Sequence, residues 1–524
     1  DAFASLLELA EANPYTARAY RRAAEVIRGA PVPVAELVVS GRVRELRGIG
    51  PGIEARLREL LETGDIAELA ELERVLAPSL VGLGRYLGLS AKRSVEIAHA
   101  LGVRTADELR AAAAAGRLRS VPGVGPKIEA QLIEALAREP EPRAQRGLTL
   151  NRAWELVGGI AAALDGEVAG DVRRWRHSCE RLAVVCSAPA LERFAALPQI
   201  VAVIEQSERH AVGVTIEGVP IEVVAAEPSG AGTALLRATG SAAYVAALEP
   251  LPDAPDEAAV YAALGAPWCP PELREAPFRD APPELVDPAD IRGDLHCHTT
   301  WSDGRASVEE MGRAALERGY DYIAICDHTP AVGAVRGLTA DDVRRQAAEI
   351  AAANAALAPF RVLRGIECDI LPDGRLDLPD DVLAELDWVQ ASVHGGQRMP
   401  RREMTTRVEE ALRNPHVSCL SHPTGRLINR RPENAVDLDR VYEVALAEGV
   451  ALEVNGLPDR LDLSGDHVRD ALRAGLKIVC STDAHSVRGL ANMPLSVHTA
   501  RRGWATAADV LNTQPLQAIL AARR

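Results

Sequence analysis

Between positions 296 and 485, six histidines and two carboxylates fall at the ends of apolar runs, His296, His298, His328, Glu367, His394, His422, Asp483 and His485, and a third carboxylate, Asp303, follows in the first loop. Asp327 and Asn455 share those ends. Imidazoles mixed with carboxylates suit Zn²⁺, Mn²⁺ or Fe better than Mg²⁺ alone, and nine donors suffice for two or three divalent ions. His296 and His298 sit two apart, which puts both rings on one face of a strand. A carboxylate such as Glu367 can bridge two ions about 3.5–4 Å apart, a spacing suited to activating water beside a phosphoryl oxygen. A lone strand-end histidine is ordinarily a hydrogen-bonded structural residue. Six of them over five strand ends call for a common ligand.

The runs that must position these residues are YDYIAICDH, FRVLRGIECDI, LDWVQASVH, VSCLSHP, GVALEVNG and LKIVCSTDAH. They alternate with amphipathic helical stretches to the end of the chain, the signature of a β/α barrel whose site lies at the C-terminal rim of its strands. Upstream, residues 148–250 carry short Val- and Ile-rich runs and read as a sheet-bearing domain. The ten prolines of 250–290 read as a linker with a small attached turn of structure.

The motifs GDLHCHTTWSDG (293–304), CDH (326–328), GIECDI (365–370), SVH (392–394), SHPTGR (421–426), EVNGLPDRLDL (453–463) and STDAH (481–485) resemble the polymerase-and-histidinol-phosphatase (PHP) domain. That resemblance implies a distorted (β/α)₇ barrel with a trinuclear site that hydrolyses phosphoesters. It places His296, His298, Glu367 and Asp483 on one ion and Glu367 with His394 on a second. Asp303, His328, His422 and His485 complete the cluster, with Asp303 and His328 also serving catalysis. Arg426 and Arg460 follow ligand-bearing strands, where a guanidinium fork can clamp a phosphate.

The N-terminal part is helical and repetitive. The segments led by Gly48, Gly88 and Gly123 recur after 40 and 35 residues. GIGPG (Gly48, Gly50, Gly52) and GVGPK (Gly123, Gly125, Lys127) each precede a helix, so their backbone N–H groups form an anion site suited to DNA phosphates. The middle copy carries Ser90 in place of the second glycine and reads as structural.

Order and motifs along the whole chain, including AGDVRRWRH (169–177), GTALLRATGS (232–241) and WCPPELRE (268–275), resemble a bacterial family X DNA polymerase. A polymerase palm needs three carboxylates on one face to hold two metals. The matching positions here are Arg181, Ala183 and Glu222, and a cation and a methyl cannot bind metal. Asp171 replaces a small hydroxyl residue and adds repulsion toward a triphosphate, and Ala238 replaces an aromatic. Arg56 stands where family members use a lysine to open abasic sites, and a guanidinium does not form that imine.

The chain has 524 residues and a formal charge of −15. Residues 1–150 hold 21 Lys+Arg and 20 Asp+Glu, so the remainder, 38 against 54, carries −16. DNA contact is therefore expected in the first part and cation binding in the second. The absence of a membrane-length apolar run or of a basic, apolar start predicts a cytoplasmic protein, and eight cysteines without a CxxC pair predict buried thiols. The expected domains are a helical region with the first hairpin (1–75), helical fingers (76–147), a degenerate α+β palm with a thumb-like region (148–288) and the PHP barrel (289–524). The expected function is a 3′-5′ exonuclease, or a 3′-end or abasic-site processing nuclease, in DNA repair. Its partner would be gapped, recessed or damaged duplex, and polymerase activity would be lost. The alternatives are a histidinol-phosphatase-like phosphomonoesterase and a non-catalytic DNA scaffold.

Overall fold

The computed structural model describes residues 147–521 apart from 216, 218, 278–280 and 334. In the N-terminal region it describes 34–46, 48–63, 66–68, shorter stretches between 97 and 124 and single positions between 16 and 27. The repeat copies at Gly88 and at Gly123, Gly125 and Lys127 lie outside the described residues. Two compact units result, Asp1–Arg143 and Ala144–Arg524.

In the first unit, α1 (Val34–Val39) and α2 (Pro51–Thr63) flank the first glycine turn. Val38, Val43, Ile49 and Ile53 bury between them. Proline suits the first helical position of α2, because its missing N–H would be unpaired there anyway. Gly48 adopts φ 108°, a backbone conformation essentially reserved for glycine. Cβ atoms at Gly50 and Gly52 would meet only open space. Arg56 is ion-paired with Glu59 and Glu68.

The second unit begins with α3 (Leu150–Ala163), which packs Leu156, Val157 and Ile160 on a mixed sheet. Its strands are β1 (Glu167–Ala169), β2 (Leu182–Cys186), β3 (Ile200–Gln206), β4 (His210–Thr215) and β5 (Pro220–Ala225), ordered β1-β2-β5-β4-β3. β5 alternates half-buried and buried residues, as a strand with one packed face does. β2 and β5 run parallel, with Ala183 directly beside Glu222.

Residues 250–290 are more than a linker with a small turn of structure. They contain the helix Glu257–Leu264, and Ala254, Val260, Tyr261, Cys269 and Leu273 share a core with Leu236 and Tyr244. The fully buried Arg274 pairs with Glu257, which also takes two bonds of 2.7 Å from Arg173. Proline fixes φ without preventing packing, so its abundance alone does not make a segment loose.

The barrel follows: β6 (Gly293–Cys297), β7 (Tyr322–Ile325), β8 (Arg361–Asp369), β9 (Trp388–Ser392), β10 (Cys419–Leu420), β11 (Ala451–Asn455) and β12 (Ile478–Ser481). These seven strands are parallel and adjacent in chain order. A bridge between Cys297 and Ala484, with His298 N–H donating to Ala484 O at 2.8 Å, draws the first and last strands together. Reciprocal caps at Ser307/Glu310 and Thr339/Asp342 start the first two barrel helices. Inside, Leu295, Ala324, Leu363, Cys419, Ala451 and Val479 form an apolar floor. Two residues further along the same inward face, Ser421, Glu453 and Ser481 begin a polar rim. All eight cysteines are buried thiols, and no helix among the described residues is long and apolar enough to cross a membrane.

Candidate metal centre

Glu367, near the end of β8, stands at the middle of the rim and is 1% exposed. Its Oε1 lies 2.8 Å from His422 Nε2 and 3.4 Å from His394 Nε2. Its Oε2 lies 2.9 Å from His328 Nδ1 and 3.5 Å from His296 Nε2. The Nε2 atoms of His296 and His298 face each other at 3.1 Å, and Asp483 Oδ1 is 3.1 Å from the latter. On the outer side, Asp303 approaches His485 Nε2 at 3.3 Å and His328 Nε2 at 3.7 Å. Three overlapping groups bring ligand atoms within 4.8 Å of one another: His298, Asp303, His328 and His485; His296, His298 and Glu367; and His328, Glu367 and His394. All nine residues singled out from the sequence thus meet at one rim.

The backbone bends to make this possible. His422 and Asp483 both adopt left-handed conformations, φ 27° and 52°. Non-glycine residues are uncommon there, and such conformations concentrate where a site over-determines them.

Several orienting residues carry no mark in a motif reading. Glu453, fully buried on β11, lies 2.6 Å from His296 Nδ1 and accepts from the Ser421 hydroxyl and the His422 N–H. Asp369 lies 3.1 Å from His394 Nδ1, and the Asp483 carbonyl 2.8 Å from His485 Nδ1. A ring that donates Nδ1–H outward presents its Nε2 lone pair inward, which is how ligating histidines are held. Asp327, which the sequence already places at a strand end, braces the first loop through Thr299 and Gln346. The available signal was a charged residue at an inward position inside an apolar strand.

Burial alone would raise the carboxyls of Glu367 and Asp483. The imidazoles, His394 foremost for Glu367 and His296 for Asp483, outweigh it and hold both well below the usual range. Burial opposes protonation of His485, but its bond to Asp303 and the charge of Asp483 raise it to about 9. Burial, with the neighbouring His485 and His328, pushes His298 down to about 4. The Glu367 and Asp483 carboxyls are therefore both ionised and able to ligate a cation.

Among the described residues, Nδ1 of His298 and of His422 are buried without a hydrogen-bond partner. An unpaired buried polar atom costs about 1–3 kcal/mol, so six converging imidazoles with orphaned nitrogens fit divalent cations and not a dry core.

The two arginines separate. Arg460 Nε lies 3.9 Å from Asp483 Oδ2, beside the cluster. Arg426 donates from Nε to the Arg460 carbonyl at 2.9 Å and also to the Leu461 carbonyl, and its remaining nitrogen is 4.0 Å from Glu433. In the palm, Arg181 donates to the Gly240 carbonyl at 3.1 Å and lies 3.7 Å from Glu222, whose other oxygen is 3.1 Å from His210 Nε2. Asp171 does not project its charge at a nucleotide site. It is buried, ion-paired with Arg174, and accepts the N–H groups of Glu180 and Arg181 at 2.9 and 2.8 Å.

The PHP domain family matches residues 294–456. A helix-hairpin-helix domain matches residues 1–66 and a SAM-like helix-hairpin-helix tandem residues 87–138. A Bacillus subtilis protein named DNA polymerase/3'-5' exonuclease PolX is 34% identical over 99% of this chain and 96% of its own length. A probable phosphatase of Acetivibrio thermocellus is 30% identical over 37% of this chain and 78% of its own. A probable phosphatase of Photobacterium profundum is 27% identical over 38% of this chain and 80% of its own.

Proposed function

Since the chain belongs to the PolX family of family X DNA polymerases that carry a PHP domain, we propose that it is a metal-dependent 3′-5′ exonuclease or 3′-end processing nuclease acting on DNA in repair. The observation that carries this reading is the convergence of six imidazoles on Glu367, Asp303 and Asp483. Two or three divalent cations, Mn²⁺, Zn²⁺ or Fe, bound there would neutralise the phosphoryl oxygens and supply activated water.

The chain's own residues divide the remaining work. His296, His298, Glu367 and Asp483 hold the inner position, with Glu367 shared toward His394 and His422. Asp303, His328 and His485 hold the outer one. Arg460 orients the phosphate from beside Asp483. Gly48, Gly50 and Gly52, and by the same motif Gly123, Gly125 and Lys127, hold gapped, recessed or damaged duplex through its phosphates. Polymerisation is not part of the function, because Arg181, Ala183 and Glu222 offer one carboxylate where three are needed, and that one is paired.

The test is Mn²⁺-dependent release of nucleotides from a labelled 3′ end. Release by the wild type and its loss in His296→Ala with Asp483→Ala are expected. No release by the wild type, or faster turnover of sugar and amino-alcohol phosphates that duplex DNA does not inhibit, overturns the reading in favour of a phosphomonoesterase.

A further inference from the structure

The barrel hairpin 426–433 and the palm segment 177–180 enclose a cleft of about 730 Å³. Its walls are fixed to each other. Trp175 of the palm stacks on His498 of the barrel with ring centroids 3.6 Å apart and planes within 5°. Glu272 binds His498 and Arg501 at 2.7 and 2.6 Å. Across the cleft, Asn429, itself left-handed at φ 63°, donates to the Gly147 carbonyl at 2.7 Å.

The hairpin is also tied to the metal centre. Arg426 follows His422 by four residues, a reach of at most about 14 Å. It is 8% exposed and grips the loop that carries Arg460. Arg431 commits its guanidinium to the frame, donating to the Gly425 carbonyl at 2.9 and 2.6 Å and to Gln397, three residues past His394, at 2.5 Å.

The lining has the opposite sign from its surroundings. Arg426, Arg430 and Arg431 face Glu180 and Glu433, in a region that carries −16 overall. Burial and the charges of Arg426, Arg502 and Arg176 push His177 down to about 3, so it faces the cleft as a neutral ring. Arg430 stands at the mouth with its side chain 73% exposed.

We propose that this cleft is a subsite for the single strand leading to the scissile bond, with a backbone phosphate on the exposed Arg430 and a nucleoside against His177. The proposal rests on the nuclease reading and gives the degenerate palm a use as one wall of the substrate path. An accessible guanidinium with a ring beside it is what a sequence-tolerant single-strand groove requires.

Binding of a short fluorescein-labelled single strand to the full chain, measured in EDTA so that nothing is cleaved, tests it. Arg430→Glu should weaken Kd about ten-fold and lower the salt slope by about one. Glu180→Cys should cross-link to thiol tethers on the phosphates nearest the 3′ end and not to distant ones. An unchanged Kd for Arg430→Glu, or no positional preference in cross-linking, overturns the subsite. Displacement by a deoxynucleoside monophosphate as effective as by a trinucleotide assigns the cleft to free nucleotide and also overturns it. A wild type that passes these tests yet releases no nucleotide in Mn²⁺ sinks the nuclease reading alone.

Discussion

Glu453 holds Nδ1 of His296 at 2.6 Å, and this contact leaves the Nε2 of that ring facing His298 Nε2 at 3.1 Å. A fully buried carboxylate surrounded by the Ser421 and Ser481 hydroxyls and the His422 N–H has no route to solvent, so its role is to fix a ring and raise its basicity. Glu453→Gln keeps the shape and removes the charge. Loss of such an outer partner typically lowers metal affinity or activity about 10–100-fold. Metal titration and Mn²⁺-dependent turnover should both show that fall while the circular dichroism spectrum stays native. Wild-type metal affinity in this variant would remove Glu453 from the site.

Glu367 has a different position in the network, because five imidazoles approach its two oxygens. Replacing it should empty more than one ion position at once. Glu367→Gln is expected to lose at least one equivalent of metal by elemental analysis and to drop turnover at least 100-fold. His394→Ala, which touches one oxygen only, should lose less metal. Equal metal content in wild type and Glu367→Gln would show that the carboxylate is not shared.

What the sequence made legible follows from its geometry. His296, Glu367 and Asp483 could be found because strand ends of a β/α barrel meet at one rim, so polar residues there announce themselves against apolar runs. Glu453 and Asp369 could not be found in the same way. Each belongs to an apolar strand and lies two residues from a more conspicuous polar residue, Glu453 before Asn455 and Asp369 after Glu367, and only the inward period of the strand reveals it. Arg426 shows the converse limit. Its place after a ligand strand suggests a phosphate clamp, but the hairpin closed by Leu427 and Arg431 turns its guanidinium onto the carbonyls of Arg460 and Leu461. The direction of a side chain in a hairpin depends on backbone conformations, such as that of Asn429, which residue types alone do not dictate.

The palm should be silent in synthesis. Ala183 lies directly beside Glu222 in the sheet, so the one remaining carboxylate faces a methyl, with Arg181 and His210 on either side of it. Two-metal phosphoryl transfer cannot be assembled from that set. Primer extension by the wild type on a gapped template with all four deoxynucleotides, in Mg²⁺ or Mn²⁺, should add nothing. Incorporation of a single nucleotide, surviving in a preparation free of other polymerases, would contradict the assignment.

His177 gives the chain a pH-dependent stability with a definite sign. Burial and nearby arginines lower it to about 3 from the ordinary 6.5, so between these values the unfolded chain binds a proton that the native chain does not. Stability therefore rises with pH across that window and is lost as pH falls through it, with a slope of up to about 1.4 kcal/mol per pH unit from this one group. His177→Asn keeps a polar side chain of similar reach and removes the titration. Carboxylates and the metal-centre histidines titrate in both proteins and cancel in the difference. Urea unfolding at a series of pH values should thus show wild type and variant running parallel above pH 7 and diverging below 6.5, with the wild type declining faster. Curves that stay parallel down to pH 4 would mean that the ring is protonated in the folded protein, and so is neither desolvated nor held beside Arg426.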